Sequence, residues 1–356
     1  MPLIDRFHRK IDYLRVSVTD RCNFRCEYCM PVEGVPFTPK DETLSAEEHE
    51  QVLEAAFECG MRKVRFTGGE PLLWRPLPAL IEAARRIGYS DISATTNGFL
   101  LTEKAELLYR AGLGRINISL DSFDEATFQR IARRGDLATV LAGIETAFNV
   151  GFDPVKINCV VMKGVNDHEV SQFAHWTLDR PVHVRFIELM PIRWNLDETE
   201  PFDAFSPHGS RGLLQLTQAK GGMLSDLDMR ARFVSSERSM ARIEEEVGPL
   251  LAAEVVTNGP ARSYRLARAR GTVGFISQIT NDFCSRCNRL RITHDGFLRP
   301  CLMSDGELDL KPHVRGGGGR EALVRAFQHV VEHKPERHYL AEGQRVTGRS
   351  MSQIGG

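Results

Sequence analysis

The sequence predicts an α/β fold built around a parallel sheet. Strand-like and helical segments alternate about six times over residues 11–195 of the 356-residue chain, and such alternation is typical of parallel strands joined by crossover helices. Polar residues follow the predicted strands, as at Glu70, Asn97 and Asp121, and barrel enzymes collect their chemistry at such strand ends. About six units are too few for a closed eight-stranded barrel, so an open sheet and a partial barrel both remain alternatives.

Local signals define the elements of this region. Residues 13–19 alternate in polarity and are rich in β-favouring side chains, which predicts the first strand. Ser45 and Glu48 form a capping-box pattern before a helical segment that ends at Gly60, and Gly88 ends the next helix. The remaining elements are predicted as strands at 63–66, 91–95, 115–120, 155–161 and 182–189 and helices at 78–87, 103–110, 124–132 and 137–149.

The chain after the sixth predicted strand departs from this rhythm. Residues 196–232 are polar and weakly periodic, which indicates a surface insertion. Asp295 and Gly296 predict a hairpin turn, and the polar tail from Arg349 is interpreted as unpacked. The predicted domains are a barrel at 1–195, the insertion at 196–232 and a C-terminal region at 233–356, with a helix at 238–251, strands at 263–268, 271–279 and 289–293, and a flexible glycine run at 316–319.

Composition and charge exclude several classes of protein. Hydrophobic residues make up 42% of the chain and charged residues 26%, which is far from the composition of a disordered protein. The net charge of −1 gives no overall attraction to nucleic acid or to an anionic membrane. The apolar runs are too short for a bilayer, and the N-terminal segment lacks the apolar core of a secretory signal. We therefore expect a cytoplasmic protein that binds neither membranes nor nucleic acid.

Six of the eight cysteines form two groups of three. The first trio is Cys22, Cys26 and Cys29, spaced C-x3-C-x2-C, and the second trio is Cys284, Cys287 and Cys301, spaced C-x2-C-x13-C. Structural zinc normally takes four ligands, whereas three thiolates suit a [4Fe–4S] cluster with one open iron. A partial zinc knuckle at the first trio and a zinc site that adds His294 to the second remain alternatives. Cys59 and Cys159 lie in apolar segments and are interpreted as small buried residues.

The first trio directly follows the first strand, and Gly68-Gly69-Glu70-Pro71 ends the next one. Together these motifs resemble the signature of radical S-adenosylmethionine enzymes. The resemblance implies that the first trio holds a [4Fe–4S] cluster whose fourth iron is chelated by the amine and carboxylate of S-adenosylmethionine. It also implies a partial (βα)6 TIM-like barrel. The residues that it places at S-adenosylmethionine are Tyr28, Gly69, Glu70, Ser119 and Met190.

The second trio narrows the resemblance to the GTP 3′,8-cyclase family of molybdenum-cofactor biosynthesis. It rests on residues 20–31, 64–71 and 283–291 and on the terminal Gly355-Gly356, and it covers about 11–195 and about 255 to the terminus. The resemblance implies a C-terminal β-containing region that carries a second [4Fe–4S] cluster, with its open iron toward guanine. It implies a lyase in which a 5′-deoxyadenosyl radical takes the C3′ hydrogen of GTP. The C3′ radical then attacks C8, and reduction of the resulting aminyl radical by one electron and one proton, helped by the second cluster, gives (8S)-3′,8-cyclo-7,8-dihydroguanosine 5′-triphosphate.

A triphosphate needs cations or backbone amides, and the chain has no G-x4-G-K-[ST] loop. Arginine meets phosphate oxygens in a bidentate manner, and a charge within an apolar strand needs a partner or a ligand. Strand-borne candidates are Arg15, Arg65, Lys156, Arg185, Arg289 and Arg291. The resemblance places Arg15, Arg65, Thr96, Lys156, Arg289, Leu290 and Arg291 at GTP. It implies catalytic roles for Arg15, Arg289, Arg291, Gly355 and Gly356, and a C-terminal tail that threads into the catalytic cavity. From the sequence alone, the terminal Gly-Gly is interpreted as the flexible end of the chain's tail.

The resemblance also implies partners. These are GTP, an electron donor such as flavodoxin or ferredoxin, and a downstream cyclic pyranopterin monophosphate synthase, with the enzyme a monomer or homodimer. One alternative is another radical S-adenosylmethionine enzyme with an auxiliary cluster, such as a peptide-modifying maturase, although those usually carry more cysteines. The other is a non-enzymatic zinc or iron–sulfur module, for which six strand–helix units are excessive.

Overall fold

A computed structural model describes residues 2–190, 223–224, 226–254, 259–339 and 349–355. Most of the predicted insertion, and Gly356, lie outside the described residues. The strands are β1 (Leu3–Ile4), β2 (Lys10–Ile11), β3 (Tyr13–Ser17), β4 (Lys63–Thr67), β5 (Asp91–Thr96), β6 (Arg115–Ser119), β7 (Val155–Val161), β8 (His183–Glu188), β9 (Leu251–Ala252), β10 (Arg262–Arg265), β11 (Thr272–Ile276), β12 (Arg289–Ile292), β13 (Phe297–Arg299) and β14 (Leu308–Asp309). The α-helices are α1 (Ala46–Glu58), α2 (Leu77–Ile87), α3 (Leu101–Ala111), α4 (Glu125–Ala132), α5 (Leu137–Val150), α6 (Val170–Asp179), α7 (Asp226–Ala231), α8 (Ser236–Glu246), α9 (Lys311–Arg315) and α10 (Gly319–Glu332).

The six strands predicted for the barrel, β3 to β8, run parallel and lie side by side in chain order. The C-terminal region adds one parallel strand at each side, because β12 pairs with β3 and β11 pairs with β8. Antiparallel strands extend both ends, so the described sheet has the order β14-β13-β12-β3-β4-β5-β6-β7-β8-β11-β10-β9. Since β11 and β12 are not neighbours, this sheet stays open, as a partial barrel requires.

The predicted caps and turns are present. The Ser45 hydroxyl accepts from the Glu48 amide while the Glu48 carboxylate accepts from the Ser45 amide, so both halves of the capping box form at α1. Gly88 ends α2 in the left-handed conformation with φ of 111°, and Gly296 lies at the hairpin between β12 and β13 with φ of 86°.

The C-terminal region differs from the sequence prediction in two places. Helix α10 is an element that the sequence analysis missed, and its Leu323, Phe327 and Val331 are at most 2% exposed in the main core. The tail is packed rather than loose, because Ser350 and Ile354 are fully buried. Helix α10 has a local signal that the prediction missed, since its buried residues recur at helical spacing. The short polar tail has no such periodicity.

One face of the sheet is apolar. Leu14, Val64, Ile116, Ile157 and Val184 occupy alternate positions of β3, β4, β6, β7 and β8, and each is fully buried. Since successive side chains of a strand point to opposite faces, the residues between them point the other way. That second face, called the inner face here, is polar.

Glu188 joins the barrel to the C-terminal region. Its buried carboxylate accepts hydrogen bonds from the amide and hydroxyl of Ser236, from the Ile279 amide and from the amide and hydroxyl of Thr280. These contacts fix the start of α8 and the segment after β11 against the end of β8.

We expect Glu188→Ala to lower the free energy of unfolding by about 3 kcal/mol, because it strands several buried donors at once. Glu188→Gln keeps an acceptor oxygen and should cost about half as much. Urea unfolding followed by circular dichroism measures the change. The exposed Glu237, in the first turn of α8, supplies the control, since Glu237→Ala should stay within about 0.5 kcal/mol. Equal losses at the two positions would contradict the anchoring role.

Candidate active site

The inner face carries a row of cations. Register places Arg291 beside Arg15 and Arg15 beside Arg65 across three parallel strands. Farther along the same face, on β7 and β8, Lys156 is level with His183 and Arg185 is level with Asn158. The cation row is defined as Arg15, Arg65, Lys156, Arg185, Arg289 and Arg291. All six are strand-borne, as the sequence predicted, and the structure brings them to one face of the sheet.

Five of the six members of the cation row have no carboxylate partner in the described part of the chain. Among the described residues, no Asp or Glu oxygen lies within 4 Å of the charged nitrogens of Arg65, Lys156, Arg185, Arg289 or Arg291. Four of these five side chains belong to residues no more than 7% exposed, Arg289 being half-buried. Bringing like charges together out of water is unfavourable, so the row is suited to a ligand with several negative charges.

The pKa values of the row reflect this crowding. Burial lowers the pKa of Arg291 to about 9, with Arg289 adding to the effect. Burial also lowers the pKa of Arg185 to about 9, and Arg65 adds to it. The pKa of Lys156 falls to about 6, through burial first and then the Arg185 charge. A bound polyanion would reverse these shifts, because it favours the protonated form of each group.

Uncharged acceptors position the guanidinium groups. The Arg65 Nε donates to the Ser93 hydroxyl at 3.2 Å, and Arg185 donates to the Asn117 side-chain oxygen at 2.5 Å. Neither acceptor neutralises the charge, so both arginines are held in place while their charge stays available. Asn117 and Ser93 were not predicted as site residues, although each is a polar residue that alternates with apolar ones along its strand.

The first trio lies on the loop that follows β3. The Cys22 sulfur accepts from the Phe24 amide at 3.4 Å and faces the Asn97 side-chain amide at 3.9 Å. Burial raises the pKa of Cys22 to about 11 and that of Cys29 to about 12, and burial raises the Cys26 pKa as well, with Cys29 and Cys22 among the further causes. The three thiols therefore lie close enough to interact.

The Gly68-Gly69 turn fits against the backbone that leads into the first trio. The Gly69 amide donates to the Thr19 carbonyl at 2.7 Å, and the Glu70 amide donates to the Arg21 carbonyl at 2.7 Å. A Cβ at Gly69 would lie 2.4 Å from the Arg21 carbonyl oxygen. Glycine is therefore required at this close approach of two chain segments.

The Glu70 carboxylate is already hydrogen-bonded. It accepts from the Leu72 amide, the Asn97 amide and the Thr96 hydroxyl, at 2.7 to 2.9 Å. Burial raises its pKa to about 7, although these donors oppose the shift. The carboxylate thus ties the end of β4 to the end of β5.

The GTP contact of Thr96 stays a prediction, and its side chain does not lie on the inner face. Thr96 is level with Ile118 on the apolar face of the sheet, and its hydroxyl donates to Glu70. Thr95 is level with Asn117 on the inner face, and its buried hydroxyl has no hydrogen-bond partner among the described residues. Similarly, Leu290 is fully buried in the main core, so only its backbone lies at the row.

The other residues predicted at S-adenosylmethionine border the first trio or the inner face. The Tyr28 hydroxyl donates to Asp121 at 2.7 Å, which ties the cysteine loop to the end of β6. Ser119 is level with Asn158 on the inner face. Met190 is half-buried against the small cluster of Met303 and Ile354, so it contacts the C-terminal tail region.

The second trio converges around a 3-10 turn and the end of β13. Cys284 begins the turn and Cys287 follows it, and the Cys287 amide donates to the Cys284 carbonyl at 3.1 Å. Cys301 follows β13, and its sulfur accepts from the Met303 amide at 3.4 Å. The three thiols influence one another electrostatically, since Cys301 and Cys287 contribute to the raised pKa of Cys284.

The tail connects the two trios to the cation row. Met351 and Ile354 of the tail pack in one small cluster with Cys301, and Arg291 donates to the Gly355 carbonyl at 2.6 Å. Burial raises the pKa of Cys29, and the Ser352 backbone amide opposes that shift, so the tail also lies close to the first trio. A Cβ at Gly355 would lie 2.4 Å from the Thr67 hydroxyl oxygen, at the end of β4. Gly355 is thus inserted between the strand ends, whereas Gly356 lies outside the described residues. The contact made by Ser352 had no signal in the sequence.

Both trios fit iron–sulfur clusters better than single zinc ions. A single zinc ion needs ligand atoms close to one another. Among the described residues, Asp282, Cys284 and His338 bring three ligand atoms within 4.8 Å of one another, whereas the three sulfurs of each trio lie farther apart and His294 is in no such group. His294 instead contacts Thr38 at 2.7 Å. Thiolates bound to one zinc ion would lie about 4 Å apart, so the wider spacing of the trios suits an iron–sulfur cluster. N–H groups that donate to the cysteine sulfurs are also typical of cluster sites.

No helix within the described part of the chain is long and apolar enough to cross a membrane.

Comparison with known proteins gives concordant matches. A family model described as Radical SAM superfamily matches residues 16–177, and one described as Molybdenum Cofactor Synthesis C matches residues 222–340. A curated GTP 3′,8-cyclase from Desulforamulus reducens is 42% identical over 356 residues, which cover 99% of this chain and 100% of that protein. The GTP 3′,8-cyclase of Pelotomaculum thermopropionicum is 44% identical over 354 residues, covering 99% of both chains.

A solved structure shares the fold. Streptococcus suis SuiB bound to S-adenosylmethionine matches with a TM-score of 0.53 at 13% identity, over 86% of this chain and 63% of SuiB. At this identity the likeness concerns the fold alone.

Proposed function

Since this chain belongs to the GTP 3′,8-cyclase family of radical S-adenosylmethionine enzymes, we propose that its two trios and its cation row form one active site for the cyclisation of GTP. The family relationship makes the chain an enzyme rather than a metal-binding module, and it favours the cyclase over a peptide maturase. We also propose the division into a barrel at 1–195, an insertion at 196–232 and a C-terminal region at 233–356.

The residue roles in this proposal follow from chemistry and position. The first trio would hold the [4Fe–4S] cluster that binds S-adenosylmethionine, and the second trio would hold the cluster that faces guanine. When bound and reduced, the first cluster supplies the electron that cleaves S-adenosylmethionine and so starts hydrogen abstraction from C3′ of GTP. The product is (8S)-3′,8-cyclo-7,8-dihydroguanosine 5′-triphosphate.

The chain's own residues bind and orient the substrate. Guanidinium groups of the cation row hold the triphosphate, because their planar forks match phosphate oxygens. The Gly355 carbonyl orients Arg291, and the tail narrows the space between the strand ends. Holding the reacting carbons in a fixed geometry is the protein's main contribution to a radical cyclisation.

One observation supports this assignment above the others. Five cations of the row, of which four are buried and Arg289 is half-buried, have no carboxylate partner among the described residues. They lie on the inner face of the sheet, whose strands β3 and β4 lead into the first trio and the Gly-Gly turn. Such a row is unfavourable unless a polyanion occupies it. A nucleoside triphosphate provides that charge.

The family relationship supports further proposals on partners. An electron donor such as flavodoxin or ferredoxin would reduce the first cluster, and a cyclic pyranopterin monophosphate synthase would consume the product. The enzyme would work in the cytoplasm, where exposed clusters stay reduced, as a monomer or homodimer.

The direct experiment is anaerobic reconstitution, followed by incubation with dithionite, S-adenosylmethionine and GTP and by mass spectrometry of the products. We expect 5′-deoxyadenosine together with a cyclised isomer of GTP. Formation of 5′-deoxyadenosine with unchanged GTP would contradict the substrate assignment. Absence of both products from protein with two full clusters would contradict the enzyme assignment.

Thr95 and Thr96 provide a matched pair for testing the substrate side. We expect Thr95→Val to raise the KM for GTP about tenfold, since it removes a hydrogen bond to a charged ligand. Thr96→Val should leave that KM within about twofold and instead lower the free energy of unfolding by about 1–2 kcal/mol, because Glu70 loses a buried donor. Steady-state kinetics and urea unfolding separate the effects. The opposite pattern would return the substrate contact to Thr96.

A further inference from the structure

Lys334 is a buried lysine beside the second trio. It follows α10 and is 2% exposed. Its ammonium donates to the Arg289 carbonyl at 3.0 Å and to the Pro300 carbonyl. These carbonyls lie two residues after Cys287 and one residue before Cys301. The ammonium is therefore fixed between the two chain segments that carry these thiols.

This ammonium has no carboxylate partner in the described part of the chain, where the lysines that form ion pairs are Lys63 and Lys311. Backbone carbonyls carry no net charge, so they do not neutralise it. A buried charge without a counter-charge is strongly unfavourable. Some anionic group must therefore lie close to Lys334 in the working protein.

The second trio is a source of negative charge beside Lys334. The carbonyls that accept from the ammonium belong to Arg289, two residues after Cys287, and to Pro300, the residue before Cys301. A cluster held by three thiolates is anionic in both redox states and becomes more so on reduction.

We propose that Lys334 is the permanent counter-charge of the second cluster and raises its reduction potential. The inference rests on the proposed ligands of that cluster. A nearby cation stabilises the reduced, more negative state more than the oxidised one. Lys334 thereby acts through the cluster, as a positioning and electrostatic residue, without touching substrate.

Lys334 differs in this respect from the neighbouring arginines. Arg289 and Arg291 belong to the cation row, and phosphate neutralises them when GTP binds. Lys334 is held by two backbone carbonyls and is not part of the row. Its effect on the cluster should therefore persist when GTP is bound.

The test uses a chain in which Cys22, Cys26 and Cys29 are all replaced by serine, so that the second cluster alone remains. Iron and sulfide analysis establishes loading, and a potentiometric titration followed by electron paramagnetic resonance gives the midpoint. In Lys334→Met we expect the ratio of reduced to oxidised cluster at a fixed potential to fall at least tenfold, which is about 59 mV for one electron. The shift should appear with and without GTP.

Two variants control for structure. Lys334→Arg keeps the charge and should leave the ratio within about twofold, and Lys311→Met removes a partly buried lysine that is paired with Asp309 and should do the same. An unchanged midpoint in fully loaded Lys334→Met overturns the proposal. If Lys334→Met does not hold the cluster while Lys334→Arg does, the result supports a requirement for the positive charge. Loss of the cluster in both variants overturns the proposal. No iron in the triple-serine chain would instead contradict the proposed cluster ligands.

Discussion

Cys22→Ser is expected to abolish formation of 5′-deoxyadenosine, whereas Cys284→Ser should retain it and lose the cyclised product. Cys22 belongs to the trio that would hold the cluster at S-adenosylmethionine, and its sulfur is held by the Phe24 amide and the Asn97 side chain. A serine hydroxyl stays protonated near neutral pH and does not replace a thiolate as an iron ligand. Cys284 lies in the other trio, so its loss should leave radical initiation intact and remove the site that we propose for guanine.

Cys59→Ser is the matched control for this comparison. Cys59 is 3% exposed in the main core, and its sulfur faces the Val324 carbonyl at 4.0 Å, apart from both trios. Its replacement should change stability by about 1 kcal/mol and leave both products unchanged. Separate quantification of 5′-deoxyadenosine and cyclised GTP in anaerobic single-turnover reactions decides the matter. Equal loss of 5′-deoxyadenosine in Cys22→Ser and Cys284→Ser would contradict the division of roles.

The strands and caps were predictable because their signals are local. Alternation at 13–19 became β3, and the capping box of Ser45 and Glu48 formed as expected. The second trio was also visible as spacing. What spacing could not give is the place of β11 and β12, which add parallel strands to both sides of the barrel sheet. That pairing is long-range, and no property of either segment specifies its neighbour.

The choice between Thr95 and Thr96 shows a second limit. Side chains of a strand alternate in direction, so an error of one residue exchanges the two faces of the sheet. Only the register with Asn117 and Ile118 shows that Thr95 faces the cation row. Lys334 was likewise invisible, since a lysine after a helix is usually solvated, and its burial depends on carbonyls of distant segments.

Gly355→Ala is expected to lower kcat/KM for GTP at least about 100-fold, because displacement of a catalytic group by about 1 Å can cost that much. Gly355 has φ of 69°, and a Cβ there would lie 2.4 Å from the Thr67 hydroxyl oxygen and 3.1 Å from the Ser17 Cβ. The tail must therefore withdraw, and the Gly355 carbonyl then leaves Arg291. Steady-state kinetics with saturating S-adenosylmethionine measure the loss.

Gly164→Ala distinguishes the contact from the backbone strain. Gly164 has φ of 68°, almost the value at Gly355, but a Cβ there meets no atom within 4 Å. It should therefore cost about 1 kcal/mol of stability and no activity. The double variant Gly355→Ala/Thr67→Ala lacks the obstructing hydroxyl. The loss of kcat/KM caused by Gly355→Ala should therefore be smaller when it is measured against Thr67→Ala than when it is measured against the unchanged chain, since residues in contact are coupled. If Gly164→Ala impairs kcat/KM as much as Gly355→Ala, or if the double variant shows no recovery, the tail does not act by occupying the space between the strand ends.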